Sequence, residues 1–381
     1  MPAVEATTPT LRKTALHSTH RQMGAKMVDF NGWEMPVEYP SAGGIIAEHM
    51  AVRTAVGIFD VSHMGDIRLA GPDALAAVQH ISMNDASRLA VNQAQYSALL
   101  YPQGTFVDDV IIHRLAEHDY LLVINAGTRE KDFDWVQENT RQFDCGVENL
   151  SDDFTQIAIQ GRKAARLLQK LTDADLSGLR FYWVTYGTLC GLRNILIART
   201  GYTGEDGFEI YIPSDELVSA RVWQEILEAG AEFGVVPCGL GSRNTLRLEA
   251  RLPLYGHEIS DTINAWEAGL DRFCRMDKPE FIGQSALALA QASGTKRTLA
   301  GLEMIERGIA RDGYKVLDGV GRELGYVTSG SYAPFFKKNI ALAYVAPEFS
   351  ALGNILWVEI RGRGVQARVV TTPFYKRPRT V

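Results

Sequence analysis

Apolar and polar residues alternate in a series of short runs, and apolar residues recur at helical spacing in only a few places. Val107 to Leu115 and Tyr120 to Asn125 are β-rich, and the stretch Ala116-Glu117-His118-Asp119 between them predicts a hairpin. A helix is expected from Thr128, with Phe133, Val136 and Phe143 on one face. Asn194 to Thr200 and Phe208 to Ile212 predict a second strand pair, joined by Gly201-Tyr202-Thr203-Gly204-Glu205-Asp206-Gly207. Three glycines in that connection suit a backbone that needs unusual angles. Ser214 is expected to cap the next helix, whose Val218, Val222 and Ile226 form a stripe at four-residue spacing.

The pattern changes near residue 284. Gln284 to Thr295 predicts a helical linker. Beyond it, Thr298 to Glu303, Gly325 to Thr328, Ile340 to Val345, Leu356 to Ile360 and Val365 to Val370 are strand-like, and helical periodicity is weak. A separate small β-barrel or β-sandwich is expected there.

Composition sets the scale. A chain of 381 residues with 46% hydrophobic content supports a large core, divided into two or three domains. The net charge of −6 leaves no broad basic surface for a phosphate backbone, so a nucleic-acid partner is not expected. Cys145, Cys190, Cys238 and Cys274 have neither C-x-x-C nor metal-like spacing, and inert thiols in a reducing compartment are expected. The first twenty residues lack the apolar core of a signal peptide, and no run approaches the roughly 18 apolar residues that span a bilayer. A cytoplasmic chain without membrane contact is expected.

The chain has no P-loop, no complete dinucleotide fingerprint, no H-E-x-x-H and no G-x-S-x-G. Four polar segments stand out instead: Phe59 to Met64, Asp108-Asp109, Arg199 to Glu209 and Gly239 to Glu249. Adjacent carboxylates on a strand face opposite sides, so one of Asp108 and Asp109 must point inward or into a cleft. Burying an unpaired charge is costly. The pattern fits either a functional carboxylate or a hydrogen-bonded cap at a strand entrance. Arg243, Arg247 and Glu249 equally fit a salt-bridged helix face.

Together these segments resemble the glycine cleavage T-protein (aminomethyltransferase) family. Lys26 to Pro36, Ala51-Val52-Arg53, Asp108-Asp109, Arg199 to Glu205, Leu246-Arg247-Leu248-Glu249, Tyr255 to Glu258 and Thr328-Ser329-Gly330 carry the likeness in order. It runs from about Leu11 to Tyr375. The resemblance implies an α+β fold, a three-domain cloverleaf around a central folate cavity. Mixed α/β N-terminal and middle domains would occupy residues 1–283, two intertwined units with the second roughly 56–150. A C-terminal β-barrel domain would occupy 284–381.

It also implies a reaction. An aminomethyl group arrives on the lipoyl arm of H protein, ammonia leaves, and the carbon passes to tetrahydrofolate. By resemblance Asp109 is the catalytic carboxylate, supported by Asp108. Glu209 would accept the N–H edge of the pterin, helped by a backbone carbonyl near Val123. Arg243 would hold the glutamate tail, with Arg377 or Arg379 closing over it. Tyr96, Tyr182 and Tyr202 would wall the cavity.

The chain departs from the family pattern at Tyr101-Pro102-Gln103-Gly104-Thr105, at Gln160-Gly161-Arg162, at Ser242-Arg243-Asn244 and at Asp271 to Arg275. Two other readings are compatible with the folate site. One is a folate-dependent demethylase or methyltransferase acting on a small methylated compound. The other is a non-catalytic folate-binding protein of iron–sulfur maintenance, disfavoured because Lys278 to Gln284 lacks the cysteine of that motif.

Overall fold

The computed structural model describes residues 10–378. A mixed six-stranded sheet, an antiparallel five-stranded sheet, a two-stranded antiparallel ribbon and a closed barrel organise it. The first sheet has six strands in the order Val184–Leu189, Leu192–Ala198, Gly207–Pro213, Phe154–Gln160, Val56–Asp60 and Val235–Pro237. Its last pair is parallel and the others are antiparallel. The second has five strands in the order Gln93–Leu100, Phe106–Ala116, Asp119–Ile124, Gly65–Ala70 and Gly146–Asn149.

Period-two alternation decides which side chains meet between the sheets. On strand Gly207–Pro213, Phe208, Ile210 and Ile212 enter a core with the helix Glu216–Gly230, through Val222, Trp223 and Ile226. Glu209 and Tyr211 therefore face the other way. On the second sheet, Val110, Ile112, Leu122 and Ile124 pack with the helix Ala74–Ile81 and with Val136 of the helix Arg129–Asn139. Asp109, Ile111, Leu121 and Val123 face away from those helices. The two free faces meet in a small cluster of Leu121 and Val123 against Leu196, Ala198 and Tyr211.

The expected hairpin forms, with Glu117 and His118 at its tip. The expected helix after Thr128 ends at Asn139, where the Thr140 hydroxyl donates to Val136 O at 2.7 Å. Phe143 lies beyond that end and reaches the same core from the following turn. Asp215, not Ser214, caps the helix Glu216–Gly230: its Oδ1 accepts from Val218 N at 2.9 Å. Ser214 is instead engaged backward, its N–H donating to Asp153 O at 2.9 Å.

The glycine-rich connection has a different cause from the one expected at two of its three glycines. Only Gly204 adopts a left-handed angle, φ +78. A Cβ on Gly201 or Gly207 would run into the side chain of Gln160, so these positions need room rather than rotation. Gln160 Nε2 uses that room to donate to Thr200 O at 3.0 Å.

After the helix Gln284–Ser293, the chain closes a six-stranded barrel. All five anticipated strands are present, and Lys315–Leu317 supplies the sixth. That strand is three residues long, too short to show an alternation in sequence. Among the described residues no helix is long and apolar enough to cross a membrane.

Candidate active site

A cavity of about 1020 Å³, counting the space open to solvent at its mouth, lies between the free faces of the two sheets. Asp109, Glu209, Arg243, Tyr96, Val123, Tyr182 and Tyr202 all line it. Arg379 lies outside the described residues. Arg377 is placed elsewhere, in a surface cleft: its Nη1 is 3.3 Å from Asp206 Oδ1 and its guanidinium is 5.2 Å from the Phe181 ring.

The aspartate pair separates as strand geometry requires. Asp108 is fully buried on the helix side, while Asp109 faces the cavity. Asp109 Oδ2 accepts from Tyr96 OH at 3.0 Å and Oδ1 from Asn125 Nδ2 at 2.8 Å. Burial and the neighbouring charge of Asp108 raise its pKa to about 7, against the pull of these two donors. A carboxylate poised there exchanges a proton near neutral pH.

Glu209 sits mid-strand, between Ala198 and Ala158 of the flanking strands, so its backbone is held on both sides. Burial raises its pKa, while the Thr200 hydroxyl, which donates to Oε2, and the Arg243 charge lower it. One hydroxyl leaves most of its acceptor capacity free for a ligand.

Arg243 enters from the helix Leu240–Glu249 and stacks 4.4 Å over the Tyr202 ring. No carboxylate of the described residues pairs with it. Burial lowers its proton affinity, and Tyr202, Glu209 and Asp109 oppose that. A half-buried guanidinium without a partner is an open fork for an anionic or carbonyl group. The ring of Tyr202 is fixed from its far end, where its hydroxyl donates to Pro253 O.

Tyr182 is held at φ +63, a region that favours glycine. Its main chain explains this. Tyr182 N donates to Arg199 O at 3.0 Å, and Tyr182 O accepts from Ala94 N at 2.8 Å, so the residue bridges both sheets.

Of the segments singled out in the sequence, Phe59 to Met64 lines the cavity through Phe59, Val61 and Met64, whereas Arg53 and Arg247 are structural pins. Arg53 is wholly buried: Nη2 is 3.0 Å from Glu249 Oε2, Nη1 is 3.4 Å from Glu205 Oε1 and donates to Thr203 O at 2.8 Å, and Tyr375 covers the guanidinium at 3.8 Å. Arg247 pairs with Glu258 at 2.6 Å and donates to Ser329 Oγ of the barrel at 2.8 Å. Its Nε donates to Asn244 Oδ1 at 2.9 Å, so the asparagine that departs from the family pattern keeps an acceptor for Arg247. Of the segment Gly239 to Glu249, Arg243 alone opens to the cavity.

Sequence reasoning missed Asn125 and Thr200. Asn125 bridges both aspartates, with Nδ2 donating to Asp108 Oδ1 and Asp109 Oδ1 at 2.8 Å each. The available signal was a lone amide closing the apolar run Tyr120 to Asn125. Thr200 stands at the end of a strand nine residues before Glu209, and only the antiparallel register brings them together.

Residues 16–278 match the family described as GCVT N-terminal domain, and residues 297–376 match the glycine cleavage T-protein C-terminal barrel domain. The chain is 70% identical over 378 residues to an aminomethyltransferase of Koribacter versatilis (strain Ellin345), covering 99% of each. It is 65% identical over 370 residues to an aminomethyltransferase of Acidobacterium capsulatum, covering 97% of each. The crystal structure of glycine cleavage system aminomethyltransferase T from Bartonella henselae superposes with a TM-score of 0.89 at 32% identity, over 96% of this chain and 98% of that one.

Proposed function

The chain belongs to the glycine cleavage T-protein family, and on that premise we propose that its cavity passes the aminomethyl carbon of an S-aminomethyldihydrolipoyl group to tetrahydrofolate. It is an enzyme, a tetrahydrofolate-dependent aminomethyltransferase of glycine catabolism. The donor is carried on lipoylated H protein, and the reaction takes place in the cytoplasm. The observation that carries the assignment of roles is the convergence of Asp109, Glu209 and Arg243 on one cavity from three different elements.

The substrate chemistry fits the residues present. The donor is S–CH₂–NH₃⁺. Its C–N bond breaks, ammonia leaves, and a folate nitrogen bonds to the carbon. The C–S bond then breaks and the second folate nitrogen closes 5,10-methylenetetrahydrofolate. Two protons leave the folate nitrogens; one ends on the dihydrolipoyl thiol and one on ammonia. Asp109 takes a proton from the attacking nitrogen and stabilises the cationic carbon, tasks suited to a carboxylate poised near neutrality. Tyr96 and Asn125 aim it. Glu209 takes two N–H donors of the pterin, and Arg243 offers its free fork to the glutamate tail. Tyr96, Tyr182 and Tyr202 give the rings aromatic walls, and Val123 an apolar one.

The domain division that accompanies this reading is a folate-binding region over 1–283 and a barrel domain over 284–381. The second unit of the former is roughly 56–150, and the strand Val56–Asp60 at its start pairs within the six-stranded sheet.

The test is reconstitution with lipoylated H protein, an aminomethyl donor and tetrahydrofolate. Folate-dependent ammonia release supports the reading. Folate binding with no ammonia release above the folate-free control overturns it and favours the demethylase.

A further inference from the structure

The strand Phe154–Gln160 turns Gln156, Ala158 and Gln160 toward the cavity, while Ile157 and Ile159 enter the core behind them. The two glutamines differ. Gln160 is spent within the fold: Nε2 donates to Thr200 O at 3.0 Å and Oε1 accepts from Thr203 Oγ1 at 2.9 Å. Gln156 uses only one end of its amide. Its Nε2 donates to Asp66 Oδ2, across the gap between the two sheets. Its Oε1 accepts no hydrogen bond among the described residues and is open to the cavity that the residue lines. Only 2% of Gln156 is exposed, so an amide oxygen left free here costs stability until a bound group supplies a donor.

The amide is aimed from behind. Asp66 is wholly buried, and its main chain is held by Ser151 Oγ, which accepts from Asp66 N at 2.9 Å, and by Leu150 N, which donates to Asp66 O at 2.9 Å. Its register partner on the next strand is Val123, itself a cavity wall. Gln156 therefore stands at the end of the cavity formed by Val123 and Glu209.

The spacing to Glu209 follows from the sheet. Glu209 lies opposite Ala158, so Gln156, two residues earlier, is its diagonal neighbour on the same face. Such side chains root about 7 Å apart, within reach of one another's partners when they are long. Two acceptors that take the two hydrogens of one amino group, each about 2.9 Å from its nitrogen, stand about 5 Å apart. Two long side chains rooted about 7 Å apart can converge to that spacing.

We propose that Gln156 is a ligand-binding residue: its amide oxygen accepts one N–H of the amino group on the pterin, while Glu209 accepts the other and the adjacent ring N–H. The inference rests on the folate reading above and sharpens it. Between them the two side chains demand a complete amino group at that edge of the ring, so the site selects a 2-aminopyrimidine over a ring without one.

The test is a binding cycle between one side chain and one ligand group, read by isothermal titration calorimetry. Gln156→Met keeps the length of the side chain and removes both ends of the amide. The ligands are tetrahydrofolate and its analogue with a methyl group in place of the pterin amino group. Gln156→Met should weaken tetrahydrofolate about 5- to 10-fold, the effect of one lost hydrogen bond, and leave the analogue within about twofold of wild type. Equal weakening of both ligands, or tetrahydrofolate within about twofold of wild type, overturns the proposal. The methionine leaves Asp66 without its donor. If that variant does not fold, Asp66→Leu with Gln156→Met, apolar on both sides of the contact, carries the same comparison. A wild type that binds neither ligand overturns the folate reading itself. A wild type that binds tetrahydrofolate, with no difference between the ligands in the variant, removes only this contact.

Discussion

Glu209→Gln is the perturbation that isolates ligand recognition most cleanly. The amide keeps the volume of the side chain and can still accept from the Thr200 hydroxyl at one oxygen. At the other position an acceptor becomes an NH₂ donor, set against the N–H edge of the pterin. A hydrogen bond to a charged group contributes about 1.5–3 kcal/mol, so the dissociation constant for tetrahydrofolate should rise about 10- to 150-fold. Stability should not fall, because burial already disfavours the charge of Glu209 and the amide removes that cost. The sign of the pH dependence follows from the raised pKa. Wild-type affinity should fall as pH drops through it, because the protonated acid loses an acceptor, while the variant should stay flat. Isothermal titration calorimetry from pH 5 to 8, with thermal melts of the apo proteins, measures both. A constant within about threefold of wild type, with an unchanged melt, would refute the role of Glu209.

Two further substitutions test the scaffold. Arg53→Leu leaves Glu205 and Glu249 buried without their cation and should cost about 3–5 kcal/mol in urea unfolding; a loss below about 1 kcal/mol would mean that Arg53 is not the pin it appears in the geometry. Asp66 is buried and accepts from Gln156, and burial raises its pKa to about 8. A carboxyl whose folded pKa lies above its unfolded value of about 3.9 destabilises the fold progressively as pH rises between the two. Asp66→Asn should therefore raise the melting temperature more at pH 8 than at pH 5, and an equal gain at both would contradict the shift.

What the sequence disclosed, and what it withheld, follows from range. Asp109 was legible because a charged pair interrupts an apolar strand, and alternation then forces one of the two inward. Arg243 was less so: the pattern around it also fits a salt-bridged helix, and Arg247 and Glu249 are indeed salt-bridged. Only resemblance separated the three. Asn125 and Thr200 act through partners fixed by sheet register, which single-sequence periodicity does not contain. The cap at Asp215 was missed by one residue, the usual resolution of a boundary read from composition. Tyr182 gave no sign that its main chain bridges two sheets, since its left-handed backbone is imposed by tertiary contacts.

In the proposed reaction Asp109 works on the transferred carbon rather than on folate binding. Asp109→Asn in the reconstituted reaction tests it directly, with single-turnover ammonia release and the tetrahydrofolate dissociation constant measured on the same protein. The asparagine retains an oxygen for the Tyr96 hydroxyl but accepts no proton. Turnover is expected to fall about 10²- to 10⁴-fold, the range of a lost general base, with folate affinity within about threefold. Equal losses in turnover and affinity, or turnover near wild type, would contradict it.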